Sequence, residues 1–144
     1  MGRLILPDQG AIYLDANCLI YSVEHIEPYC TLLEPVWRRG GILTSELTRL
    51  EVLVKPFQAE DVERQNTYRE LLKAPEVECL PLTADILEQA ARLRAATGIK
   101  TPDAIHAASA LLRNAALLLS NDKGFQKVPA LSLSFVYLRD LVSS

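Results

Sequence analysis

Carboxylates at four places in the chain, Asp15, Glu46 or Glu51, Asp103 and Asp122, stand where acids can do chemistry. Asp15 directly follows a short apolar run at residues 11–14, and Asp122 follows another at 115–119 after only Ser120 and Asn121. Asp103 lies in Thr101-Pro102-Asp103, where Thr101 suits a helix N-cap and Pro102 the first helical position. Glu51 lies on the border of an apolar helical stripe, and Glu46 sits one turn earlier. Each acid alone has an ordinary explanation as a cap, a turn residue or a complement to a helix dipole. Together they would demand more. Two like charges ~5 Å apart repel by about 3 kcal/mol at an effective dielectric of about 20, so four need cations. Oxygen-only ligands favour hard ions such as Mg²⁺ or Mn²⁺ over zinc. Such ions activate water, clamp a phosphate and neutralise a leaving oxygen, which is the apparatus of phosphodiester hydrolysis.

The elements that would position these acids alternate between strand and helix. Residues 11–14 read as a buried strand and 17–23 as a short buried helix. A helix over 29–39 carries Leu32, Leu33, Val36 and Trp37, is kinked at Pro35 and closes at Gly40-Gly41. A strand at 42–44 precedes a helix capped by Ser45, running to about Val54 and stopped by Pro56, with Leu47, Leu50 and Val54 as its buried side. A polar helix is expected over 58–73, an edge strand over 77–82 because of Pro81, and a helix capped by Thr83 and ended by Gly98. The helix opened by Thr101 leads to a strand at 115–119, buried on both faces. A turn at 123–125 and an alternating strand over 131–138 follow. The pattern predicts a single three-layer α/β domain with a mainly parallel sheet, spanning 1–144 with its core at about 11–138. In such a sheet ligands bind outside the carboxyl ends of the strands, so acids from distant parts of the chain would meet in one cleft.

Bulk properties narrow the function classes. At 144 residues with 49% hydrophobic and 23% charged residues, the composition is that of one ordinary globular domain. A net charge of −3 provides no strong field for nucleic acid, so any such contact needs a local basic patch. The apolar runs are too short to span a bilayer, and the N-terminus lacks the apolar run of a signal peptide. Cys18, Cys30 and Cys79 are odd in number and widely spaced. They predict neither a disulfide framework nor a zinc site and fit a reducing cytosol. His25 and His106 show no metal-ligand spacing and read as surface or helix-packed residues.

Four segments, Tyr13-Leu14-Asp15-Ala16-Asn17-Cys18-Leu19-Ile20-Tyr21, Thr44-Ser45-Glu46-Leu47-Thr48-Arg49-Leu50-Glu51-Val52-Leu53, Lys100-Thr101-Pro102-Asp103-Ala104-Ile105-His106-Ala107-Ala108 and Leu119-Ser120-Asn121-Asp122-Lys123-Gly124-Phe125, in this order, resemble a PIN domain. Their order, spacing and the chain length are similar to VapC-like toxins of toxin–antitoxin pairs. The resemblance implies a three-layer fold with a parallel sheet of order 3-2-1-4-5. It also implies a Mg²⁺- or Mn²⁺-dependent endoribonuclease with an acidic quartet of Asp15, Glu51, Asp103 and Asp122, both catalytic and metal-binding. Glu51 rather than Glu46 matches the family position, because it precedes the aliphatic pair Val52-Leu53. Asn17, Ser45 and Ser120 match supporting polar positions. Further implications are hydrolysis leaving 5′-phosphate and 3′-hydroxyl ends, a cytoplasmic homodimer, and inhibition by a cognate VapB-like antitoxin.

RNA contacts are expected from Lys100 and Lys123, which adjoin two of the acids, and from Arg38 and Arg39, with Arg92 and Arg94 further along the path; each of these cations also fits a solvated helix face. Two other readings compete. One is a PIN-type nuclease of RNA maturation or DNA processing. The other is a catalytically silent scaffold or an acidic receiver-like binding module, although residues 77–82 offer no phosphoacceptor aspartate.

Overall fold

The computed structural model describes residues 2–142. Five strands, β1 (Ile12–Leu14), β2 (Ile42–Ser45), β3 (Val77–Leu80), β4 (Leu117–Ser120) and β5 (Phe135–Tyr137), form one sheet in the order β3-β2-β1-β4-β5. All four pairings are parallel, with Tyr13 opposite Leu43 and Leu118. Among the described residues six α-helices connect and cover them: α1 (Ala16–Val23), α2 (Tyr29–Arg39), α3 (Glu46–Gln58), α4 (Val62–Leu72), α5 (Ala84–Thr97) and α6 (Thr101–Leu112). The α/β class, parallel sheet and strand order agree with the sequence reading.

Side-chain alternation along the strands divides the core in two. Tyr13, Leu43 and Leu118 point to one face and pack with α5, α6 and Phe125. Ile12, Leu14, Ile42 and Leu119 point to the other and pack with Leu19, Leu33, Val36, Val52 and Tyr68 of the first four helices. Leu118 and Leu119 are both fully buried, one in each cluster, as a strand covered on both faces requires. Cys18 is buried in the second cluster, its thiol directed at the Leu119 carbonyl (3.3 Å), and all three cysteines are free. Among the described residues no helix is long and apolar enough to cross a membrane.

Several boundaries differ from the sequence reading for identifiable reasons. Pro56 does not stop α3, which continues to Gln58; the ring is buried, and its packing outweighs one lost hydrogen bond in the last turn. The buried side of α3 is Thr48, Val52, Leu53 and Pro56, whereas Leu50 and Val54 are exposed. The sequence offers two apolar stripes on this helix, and packing against α1 and α4 selects the one that could not be chosen by periodicity. The polar helix starts at Val62 rather than near Gln58, because Glu60 adopts φ +53° and Asp61 caps the helix by accepting from Arg64 N–H (2.9 Å). The last strand shrinks from 131–138 to 135–137: Leu131 belongs to a 3₁₀ turn begun by Pro129, and Leu133 is almost fully exposed. Lys100, not Thr101, holds the N-cap of α6, which leaves Asp103 in the first turn.

Arg38 and Arg39 correct the expected RNA path. They end α2 just before β2 begins, at the amino edge of the sheet, opposite the edge from which the acids project. Arg38 pairs with Glu34 (3.3 Å), and Arg39 donates to the carbonyls of Pro7, Gly10 and Gly40 at 2.7–2.9 Å. Arg92 likewise pairs with Glu88, and Arg94 donates to the Ile99 carbonyl. Arg39 therefore splints the chain entering β1 to the turn entering β2. Arg39→Ala is expected to lower stability by about 1–3 kcal/mol, measured by urea unfolding, and to leave nucleic-acid binding unchanged in a filter or anisotropy assay.

Candidate active site

The carboxyl edge of the sheet opens into a cleft of about 620 Å³ lined by Asp15, Glu51, Asp103 and Asp122. Each acid is delivered by a different element or element end. Asp15 follows β1 and caps α1, accepting from the Cys18 N–H at 3.2 Å. The capping and functional readings of Asp15 do not compete, since the cap bond fixes where the carboxylate points. Glu51 projects from α3, which grows out of β2, and Asp103 lies in the first turn of α6. Asp122 follows β4 by two residues and caps a 3₁₀ turn, accepting from Gly124 N–H at 2.7 Å. Glu46, the rival second acid, turns away to Arg49 and Cys79.

Ser120 joins two of the acids. Its buried hydroxyl donates to Asp15 Oδ2 and accepts from the Asp122 N–H (2.9 Å). Asn17 lines the cleft. Ser45 is fully buried at the end of β2, beside Tyr13, and lies outside the cleft lining. Lys100 lines the cleft, and Lys123 borders an adjoining shelf with Lys100 and Lys127 while lying 5.5 Å from the Tyr137 ring. Lys55, which the sequence did not single out, also lines the cleft.

His106 is the residue that sequence reasoning missed. It is buried on α6, one turn after Asp103, with Nε2 2.7 Å from Glu51 Oε1 and Nδ1 2.6 Å from the Tyr13 hydroxyl. The i, i+3 spacing from Asp103 carried a signal, because it puts the ring and the carboxylate on one helix face. A search confined to His and Cys ligand spacing could not register it.

The electrostatics follow from burial and from crowding of like charge. Burial raises the Asp15 carboxyl above the usual range, partly offset by His106, Ser120 and the Cys18 N–H. Asp103 is pushed up to about 7, first by desolvation and then by the adjacent Asp122. Asp122 is lowered despite its own desolvation, by Asp103, the Gly124 N–H, Lys100 and Lys127. The pair thus behaves as two carboxylates sharing one proton. Asp103 Oδ2 is buried with no hydrogen-bond partner among the described residues. A Cβ built on Gly124 would fall 2.9 Å from that oxygen and 3.0 Å from Asp122 Oδ1, so both oxygens converge on space that only glycine leaves open.

An orphaned carboxylate oxygen beside a second carboxylate, in a cleft shared with two further acids, is suited to a hard divalent cation. The remaining acids are engaged by hydrogen bonds, and among the described residues no three acids, histidines or cysteines yet close on one point as a ready ligand set. Holding an ion would bring Asp15 or Glu51 toward the Asp103–Asp122 pair.

A family model for the PIN domain matches residues 12–131, and the chain belongs to the PIN domain family. No curated protein matches it in sequence. Its fold is similar to a toxin–antitoxin complex from Klebsiella pneumoniae (TM-score 0.69, 23% identity, 88% of this chain and 96% of that chain). It is also similar to VapBC-1 from nontypeable Haemophilus influenzae (0.66, 23%, 88% and 96%) and to VapC20 of Mycobacterium tuberculosis, a Sarcin-Ricin loop cleaving toxin (0.71, 15%, 88% and 98%). At these identities the likeness is one of fold.

The shifted carboxyl has a consequence for stability. Between the ordinary aspartate value of 3.8 and about 7, folded protein keeps on Asp103 a proton that unfolded chain has released. Stability from this group is therefore complete below the lower value and declines as pH rises toward the upper one. In metal-free buffer, thermal melts of Asp103→Asn are expected to exceed wild type at pH 8 and to lose that advantage by pH 4.

Proposed function

We propose that this protein is a divalent-cation-dependent endoribonuclease acting as the toxin of a toxin–antitoxin pair. The observation that carries the proposal is the convergence of Asp103 Oδ2 and Asp122 Oδ1 on one space in a cleft shared with Asp15 and Glu51. The PIN family and the fold shared with VapBC toxins support it. Asp103 and Asp122, with Asp15 and Glu51, would hold Mg²⁺ or Mn²⁺, which supplies charge neutralisation and an acidified water for phosphodiester hydrolysis.

The rest is work for this chain's own groups. Ser120 keeps Asp15 and Asp122 in fixed relation by bonding both. Lys100 and Lys55 on the cleft wall, with Lys123 and Lys127 on the adjoining shelf, offer a local positive path for phosphates that an overall charge of −3 does not. Asn17 at the cleft wall offers a neutral donor and acceptor to the substrate. A cleft with so much uncompensated acid also fits a basic segment of an antitoxin. We assign the protein to the cytoplasm and, by the family resemblance, to homodimers.

Purified protein with Mg²⁺ or Mn²⁺ is expected to cut structured RNA, leaving 5′-phosphate ends, and Asp15→Asn and Asp103→Asn are each expected to abolish cutting. Activity unchanged in both variants overturns the reading. Gly124→Ala would press a methyl group against the paired oxygens. It is expected to lower the cleavage rate on the order of 10- to 100-fold with little change in melting temperature, in a fluorogenic RNA assay.

A further inference from the structure

The buried chain Tyr13–His106–Glu51 crosses the molecule where its two halves meet. Tyr13 leaves β1 on the face covered by α5 and α6, and His106 projects from α6. Glu51 belongs to α3, whose buried side chains pack on the opposite face. The contacts are 2.6 Å from the Tyr13 hydroxyl to His106 Nδ1 and 2.7 Å from His106 Nε2 to Glu51 Oε1. Tyr13 is fully buried and His106 is 2% exposed, so solvent does not compete for the bond between them. Glu51 is different: its side chain is 29% exposed at the cleft. A glutamate there has several rotamers, and only some direct its carboxylate toward Asp103 and Asp122.

Resting on the nuclease reading, we propose that His106 is a positioning residue, held by Tyr13, that aims the Glu51 carboxylate into the metal site. A carboxylate is an acceptor only, so Nε2 carries the proton and donates to Oε1. The Tyr13 hydroxyl, able to donate or accept, fixes the ring through Nδ1. One Glu51 oxygen is thereby anchored, which limits the positions the carboxylate can take when it is drawn toward Asp103 and Asp122. Partners behind a metal ligand commonly affect metal affinity or activity by 10–100-fold. His106 sits on the same helix as Asp103, so it also ties the two acids' helices, α6 and α3, to a common geometry.

The test is Mn²⁺ titration by calorimetry alongside RNA cleavage, on wild type, His106→Asn, His106→Gln, Glu51→Gln and the His106→Asn/Glu51→Gln double variant. Asparagine can meet Tyr13 but falls short of Glu51, whereas glutamine can return a donor near the Nε2 position. His106→Asn is expected to weaken Mn²⁺ binding about 10-fold, and His106→Gln to recover most of it. The double variant is expected to match Glu51→Gln alone, because His106 acts through Glu51. A merely structural histidine would instead give additive losses and no recovery with glutamine, which overturns the proposal. Tyr13→Phe keeps the ring packing, and its expected loss of Mn²⁺ affinity provides the reading should His106→Asn fail to fold; unaltered affinity in Tyr13→Phe would then count against the proposal. Wild type that neither binds Mn²⁺ nor cuts RNA overturns the nuclease reading and this inference together. Wild type that does both, with His106→Asn indistinguishable from it, overturns the inference alone.

Discussion

Two carboxylates held together at the edge of a dry core, Asp103 and Asp122, set the terms for the surrounding structure. Their charges repel, and desolvation penalises each of them further. The fold tolerates the arrangement by local means. The first turn of α6 provides a positive dipole end beside Asp103. The Gly124 N–H, Lys100 and Lys127 favour charge on Asp122, and the raised Asp103 carboxyl eases the repulsion further. These are partial remedies, and one buried oxygen still has no partner among the described residues. A site that carries such a cost in the resting protein is one in which a bound cation would relieve it.

The parallel sheet makes the gathering possible. With every strand running the same way, β1, β2 and β4 all end at one edge, and the residues after them enter one cleft. The strand ends are bound to one another by polar contacts as well as by the ladder. Ser120 reaches Asp15 and Asp122, and the Thr44 hydroxyl donates to the Leu14 carbonyl (2.8 Å) while also meeting Thr48. Tyr13 extends this frame to the far layer through His106. Its neighbours Ile12 and Leu14 point to the opposite face, so the two-residue period of a three-residue strand decides that the hydroxyl arrives beneath α6.

Much of this was legible in the sequence because its causes are local. Apolar runs ending in acids, Thr83 at one helix start and Gly98 at its end are signals carried by a few adjacent residues, and each element formed where they lie. What escaped depends on partners distant in sequence. The buried face of α3 is chosen by α1 and α4, which leaves Leu50 and Val54 outside although they looked apolar enough for the core. Arg38 and Arg39 looked like RNA contacts until the topology placed them at the amino edge, where Arg39 is consumed by three carbonyls. His106 looked like packing because its partners lie 93 and 55 residues away. Glu46 and Glu51 lie on one helix, and their partners distinguish them: Arg49 holds the first and His106 the second.

The central proposal is that these acids hold a divalent cation at the Asp103–Asp122 pair. Anomalous diffraction from crystals grown with Mn²⁺ tests it most directly. The account predicts a peak within ligand distance of Asp103 Oδ2 and Asp122 Oδ1, with Asp15 or Glu51 drawn toward it. A saturated crystal with no peak in the cleft, or with its peak away from both aspartates, contradicts it.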